Sequence, residues 1–224
     1  SAAPLDPGLF ESLLMDQVYS ETVVDWDSQS GRFIAERRRR LGALTIERQK
    51  LSTVSDEDRV AKLLELTRAA ALSNLPWRDD ALDYLARARL METLVPHWPS
   101  FSESALIDSL EDWLAPYLLP IRRLGELKQL KLAELLRGRL DWNQQQQMDQ
   151  WLPERYSVPS GSAIRVSYRE DPPTLAVKLQ EMFGCDSTPS VAEGRLALQV
   201  HLLSPAGRPL QVTQDLAGFW RGGY

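Results

Sequence analysis

Ile164-Arg165-Val166-Ser167-Tyr168-Arg169 alternates apolar and polar residues, the period of a strand with one buried and one wet face. Upstream the period is different. Leu106, Leu110, Trp113, Leu114 and Tyr117 stand at i, i+4, i+7, i+8 and i+11, which places them on one face of a helix ended by Pro120. A chain that reads as helices and then as strands is α+β.

Downstream of the alternating stretch, Asp171 is placed as the N-cap of a short helix, with Pro172 at its first position. Leu175, Leu179, Met182 and Phe183 form its apolar face, and Gly184 stops it. Leu196, Leu198, Val200 and Leu202 predict the buried face of a long strand. Ser204-Pro205-Ala206-Gly207 turns that strand into Leu210-Gln211-Val212-Thr213, and Asp215 caps a final helix.

Working back from Pro120, Ser100-Phe101-Ser102-Glu103 reads as a capping box, Asp79 to Val95 as a helix, and Ser55-Asp56-Glu57-Asp58 as the start of a helix running to about Leu72. Leu132, Leu135, Leu136 and Leu140 supply another apolar face, so an antiparallel bundle is expected here. Before Ser55 the reading is again β: Thr22-Val23-Val24-Asp25-Trp26, a Ser28-Gln29-Ser30-Gly31 turn, then Phe33-Ile34-Ala35 and Leu44-Thr45-Ile46 either side of Gly42. A short helix over Pro7 to Gln17 leads in. The expected organisation is a small antiparallel β (OB-like) segment over 1–54, a helical domain over 55–152, and a mixed α/β module over 153–224.

The 224 residues are 43% apolar, enough for a real core without metal or disulfides. Cys185, the single cysteine, cannot form an internal bridge, and no apolar run spans a bilayer. A reducing, cytoplasmic home is expected. The first residues have no positive start followed by an apolar stretch, so they are not read as a signal peptide, and the chain reads as a piece of something longer. The formal charge of −5 is unevenly spread. Ser1 to Val54 carries 7 basic and 8 acidic residues, Ser55 to Pro153 12 and 16, and Glu154 to Tyr224 7 and 7. Any nucleic-acid surface must therefore be local.

No catalytic constellation can be assembled. Asp56-Glu57-Asp58-Arg59 follows a serine cap and does not end a buried strand, and no Gly-x-x-x-x-Gly-Lys-Ser/Thr loop occurs. There is no Gly-x-Ser-x-Gly elbow, and two histidines with one cysteine are too few for an ordinary zinc site. His97, His201 and Cys185 read as structural. The Gln144 to Gln147 run favours helix. The sharpest charge feature is Arg37-Arg38-Arg39-Arg40. In a strand these four alternate faces, so two at a time can line a groove and neutralise phosphates, or their stems simply cover sheet edges. Trp26 and Phe33 serve either as core or as stacking platforms.

Three further groups of residues carry a family resemblance. They are Leu152-Pro153-Glu154-Arg155-Tyr156 with Val158-Pro159-Ser160-Gly161-Ser162; Gln180-Glu181-Met182-Phe183-Gly184; and Leu202-Leu203-Ser204-Pro205 with Arg208-Pro209-Leu210-Gln211. Together they are similar to the tail of HrpB-type DExH-box helicases. Trp26-Asp27, the Gly31 turn, the arginine run and Leu41-Gly42-Ala43-Leu44-Thr45 resemble the end of that family's OB-like region, and Leu140-Asp141-Trp142 its helical segment. The resemblance implies a parent with two upstream RecA-like domains that hydrolyse ATP with Mg and act on RNA. None of those catalytic residues can be carried onto this sequence, and no cofactor is expected within it. In that family a Tyr-Pro- and Lys/Arg-rich tail follows the position of Trp220.

Two function classes follow. In the first, the region assists single-stranded RNA binding for the absent motor domains through Arg37, Arg38, Arg39 and Arg40 together with Arg165 and Arg169. In the second, the acidic helices or the C-terminal sheet dock a protein partner. Neither makes this stretch an enzyme by itself.

Overall fold

The computed structural model describes residues 17–222. The helix expected over Pro7 to Gln17 lies, apart from Gln17, outside them. The class is α+β, with helices, mixed sheets and a small antiparallel sheet at the N-terminal end. Packing groups the chain into two compact units: the residues up to Pro76 together with Leu110–Leu130, and Trp77–Ser109 together with those from Lys131 onward. Among the described residues no helix is long and apolar enough to cross a membrane.

The first unit begins with the meander β1 (Val18–Trp26), β2 (Phe33–Leu41) and β3 (Leu44–Leu51). The β1–β2 turn forms because Asp27 accepts hydrogen bonds from the Gln29 N–H at 3.1 Å and the Ser30 hydroxyl at 2.5 Å, while Gly31 takes a positive φ of 66° that a Cβ would disfavour. Helix α1 (Asp56–Ala69) starts where expected, with Ser55 Oγ accepting from the Asp58 N–H at 3.0 Å. It buries Leu63 and Leu64 on the face that also holds Arg59.

The apolar stripe from Leu106 to Tyr117 is not one helix. Ser109 donates its hydroxyl back to the Ala105 carbonyl at 2.6 Å, offering the backbone an alternative to the helical ladder. The chain breaks there into α3 (Glu103–Asp108), in the second unit, and α4 (Leu110–Trp113), in the first. Leu106, Leu110, Trp113 and Leu114 are buried as expected, whereas Tyr117 is 47% exposed. The cap of α3 is Ser102, accepting from the Ala105 N–H at 3.2 Å.

The second unit contains α2 (Asp79–Leu94), α5 (Leu132–Arg137) and α6 (Trp142–Trp151). The glutamine run lies in α6, which a reciprocal capping box opens: Asp141 accepts from the Gln144 N–H at 2.8 Å, and Gln144 Oε1 accepts from the Asp141 N–H at 2.9 Å. The strands β4 (Arg155–Ser157), β5 (Ala163–Ser167), β6 (Thr174–Lys178), β9 (Gln199–Leu203) and β10 (Pro209–Thr213) form one sheet in the order β10-β9-β6-β5-β4, beside a small hairpin of β7 (Ser190–Val191) and β8 (Leu196–Ala197). Asp215 caps the closing helix α7 (Leu216–Gly222) by accepting from the Gly218 N–H at 2.8 Å.

Two expectations in this unit fail. The helix placed after Asp171 is a strand, β6, followed by a 3-10 turn over Leu179–Met182. Leu175 and Val177 are buried while Ala176 and Lys178 are exposed, and β6 pairs with β5 on one side and, in parallel, with β9 on the other. The helical spacing of Leu175, Leu179 and Met182 was accidental, because a strand followed by a tight turn buries the same residues. The long strand expected from Leu196 is likewise split into β8 and β9, with Leu198, Val200 and Leu202 buried.

Candidate nucleic-acid interface

The four-arginine run lies in β2, in the middle of the first sheet, where its register is fixed: Thr22 opposes Arg37, Glu21 opposes Arg38, Ser20 opposes Arg39 and Tyr19 opposes Arg40. Side chains alternate between faces, so Arg38 and Arg40 share one face and Arg37 and Arg39 the other. The two pairs differ in their neighbours. Arg38 Nη2 is 3.2 Å from Glu36, and Arg40 Nη1 is 3.0 Å from Glu21 and Nη2 3.2 Å from the Ala43 carbonyl. On the opposite face Arg39 Nη1 is 3.3 Å from Glu47, itself well exposed. Arg37 is exposed and has no ion-pair partner among the described residues; its cross-strand neighbours, Thr22 and Gln49, are uncharged.

Trp26 and Phe33 form a directly opposed cross-strand pair at the end of this sheet, both half-buried.

Arg165 and Arg169 belong to the second unit, apart from the run in β2. Both are exposed and both meet carboxylates. Arg165 is ion-paired with Asp83, and Arg169 with Asp79, at 3.1 Å, and with Asp83. A phosphate would have to displace these partners. Nearby, Arg87 is buried and donates to the Leu152 carbonyl at 2.8 Å, to Asp149 at 2.8 Å and to Glu154 at 3.2 Å. Burial pushes the Tyr84 hydroxyl beside it up to about 12, so it stays protonated at neutral pH. His97, in a positive-φ loop position, and His201, on β9, are not brought together. Cys185 Sγ contacts the Ser187 carbonyl at 3.2 Å.

The sequence did not single out a second group of arginines in the first unit. Arg32, just after the Gly31 turn, makes an isolated antiparallel bridge with Arg123, and the Leu124 N–H reaches the Gly31 carbonyl at 3.4 Å. Arg32, Arg59, Arg122 and Arg123 line an open groove with Phe33, and none of its seven lining residues is acidic. Arg59 is 3% exposed and donates to the carbonyls of Ile121 at 2.8 Å and Leu119 at 2.9 Å, so it fixes the segment that presents Arg122 and Arg123. The available signal was the Arg122-Arg123 doublet, but nothing local says that it returns to Arg32.

Comparison with known proteins agrees with this architecture. Residues 113–224 match the family profile described as the ATP-dependent helicase C-terminal region of HrpB, and residues 17–51 match the connector region of the ATP-dependent RNA helicase HrpB. The chain is 41% identical over 210 residues to the ATP-dependent RNA helicase HrpB of Escherichia coli (strain K12), covering 92% of this chain and 26% of that protein. A crystal structure of the E. coli DExH-box NTPase HrpB superposes with a TM-score of 0.79 at 39% identity, covering 99% of this chain and 28% of that one. A crystal structure of the E. coli DEAH/RHA helicase HrpB gives 0.76 at 39% identity, with 93% and 27% covered. The chain thus spans about a quarter of the length of these relatives. With a profile covering half of the sequence and the fold in agreement, the chain belongs to the HrpB family of ATP-dependent helicases, as part of its C-terminal region.

Proposed function

We propose that this region holds single-stranded RNA for the ATP-driven motor of its parent helicase, and that the Arg37/Arg39 face of β2 makes the main phosphate contacts. The observation that carries this reading is Arg37, exposed among uncharged neighbours with no ion-pair partner among the described residues. Its neighbour Arg39 has a well-exposed glutamate that solvent competes for. Arg38 and Arg40 are more enclosed and already paired, so they serve mainly to neutralise the other face. Arg165 and Arg169 contribute as secondary contacts that exchange carboxylate for phosphate.

The test is fluorescence anisotropy with a labelled single-stranded RNA across a salt series. Replacing Arg37 and Arg39 with alanine should flatten the log–log salt slope by about one to two units, since each neutralised single-strand phosphate contributes roughly 0.7. Replacing Arg38 and Arg40 should do less. Salt-independent binding by the wild type, or two unaffected variants, would refute the reading. The isolated chain should show only background ATPase, with or without RNA, because it has no glycine-rich phosphate loop. Turnover that survives repurification and follows a point mutation would contradict this.

One observation supports a second reading, a protein-docking role. Strand β10 is an outer strand of its sheet, and its apolar residues Leu210 and Val212 are 53% and 46% exposed, a surface on which a partner could dock. Loss of RNA binding in the Arg37/Arg39 variant separates the two.

A further inference from the structure

Arg32 and Arg123 stand opposite each other across an antiparallel bridge. Directly opposed residues carry their side chains on the same face with Cβ atoms roughly 5 Å apart, and like charges placed so repel. Neither guanidinium forms an ion pair among the described residues, although Glu126 feels the charge of Arg123 at longer range. Three acids around the pair are otherwise engaged. Asp27 accepts from the Gln29 N–H at 3.1 Å and the Ser30 hydroxyl at 2.5 Å within its own turn. Asp56 is held by Arg59 at 2.7 Å and Arg122 at 2.6 Å. Glu126 accepts the backbone N–H groups of Arg122 at 2.7 Å and Arg123 at 3.2 Å. Arg32, Arg59, Arg122 and Arg123 line the groove and no carboxylate does, and the repulsion between Arg32 and Arg123 is relieved when an anion lies between them.

We infer that this groove is a phosphate-binding subsite for single-stranded nucleic acid, in which Arg32 and Arg123 clamp one phosphate from two sides. Arg122 adds an outer contact and Phe33 an apolar wall for the adjoining base or sugar. The planar guanidinium matches phosphate oxygens in pairs. An aromatic ring beside a cationic groove is the combination that accepts a flexible strand without reading its sequence. Arg59 is a positioning residue, since its buried guanidinium holds the backbone carbonyls on either side of Pro120. Only the choice of ligand rests on the RNA-holding function proposed above; the anion site rests on the opposed arginines.

The test uses the whole chain and a labelled oligouridine, with melting temperature recorded alongside anisotropy. R32A/R123A should weaken binding at low salt at least about tenfold and flatten the salt slope by roughly 0.7 units, the share of one phosphate. Its melting temperature without ligand should be unchanged or higher, because a repulsive pair has been removed. The single variant R123E, which pairs with Arg32, should melt higher than wild type and lose binding in the same way. A merely structural role predicts the opposite melting shifts and would overturn the inference. Unchanged affinity and slope in R32A/R123A, with loss in the Arg37/Arg39 variant, would sink this groove and leave the RNA-holding function standing. Competition by inorganic phosphate at the concentrations at which the oligouridine binds would make it a small-anion site, and equal displacement by polyglutamate would make it a site for an acidic protein; either refutes the nucleic-acid assignment. If wild type binds no oligouridine at low salt, both proposals fall.

Discussion

Each compact unit contains one arginine buried in a helix, and the two are used differently. Arg59 in α1 and Arg87 in α2 are 3% and 2% exposed, and each donates to a backbone carbonyl more than sixty residues along the chain. Arg59 spends two of its hydrogen bonds on neutral carbonyls and shares its one carboxylate, Asp56, with Arg122. Arg87 has one carbonyl and two carboxylates, Asp149 and Glu154. At the surface the units are mixed: Arg137, Arg165 and Arg169 in the second meet acids, as do Arg38, Arg39 and Arg40 in the first, whereas Arg32, Arg37 and Arg123 in the first have no ion-pair partner among the described residues. A buried arginine is therefore no guide to charge at the surface. What matters is which exposed guanidiniums lack an ion pair, and that is the ground for proposing Arg32, Arg37 and Arg123 of the first unit as main phosphate contacts.

The comparison presumes that the first unit has a core of its own, so the largest expected effect is there. Trp113→Ala removes an indole that is 4% exposed and should cost about 3 to 5 kcal/mol in urea titration. A loss below about 0.5 kcal/mol would put that face in solvent. Arg59→Ala and Arg87→Ala should each cost about 2 to 4 kcal/mol, because buried carbonyls lose their donors. The difference between them sharpens the contrast: raising salt should shrink the cost of Arg87→Ala, which breaks ion pairs, more than that of Arg59→Ala. Equal salt sensitivity would erase the distinction. The smallest effect concerns pH. Hydrogen bonds from Arg59 and then Arg122 hold the Asp56 carboxyl below its ordinary value of 3.8. A carboxyl lowered in the folded state stabilises above its unfolded pKa, and the contribution is lost as pH falls through the folded one. Wild type should thus lose more stability than Asp56→Asn on acidification below about pH 4, and parallel melting curves would count against the shared ion pair.

Features written in consecutive residues were legible. The Ser55 cap, the glycine turn at Gly31 and the alternating Ile164-Arg165-Val166 strand all depend on neighbours a few positions away, and each is where its pattern places it. The misreadings share a different cause. Thr174 to Val177 is a strand because β5 and β9 flank it, and neither partner is visible from the local period. The break at Ser109 depends on one hydroxyl turning back to Ala105, a choice that apolar spacing does not record. The candidate site divides in the same way: the run from Arg37 to Arg40 is conspicuous in sequence, but which carboxylate each arginine meets depends on Glu21 and Glu47 across the sheet. The opposition of Arg32 and Arg123 depends on a segment that returns from far along the chain.

That return has a consequence for synthesis on the ribosome. The acceptor for Arg59 at Ile121 lies 62 residues further on, and at roughly 5 to 20 residues per second it is made about 3 to 12 seconds later. For that interval α1 carries a guanidinium whose burial partners do not yet exist, while the residues of α2, which belong to the other unit, are already being added. Helix α1 must therefore wait, with Arg59 solvated, for a piece of chain delivered after the start of its neighbour, and a nascent chain arrested before Leu119 should remain open to protease across α1.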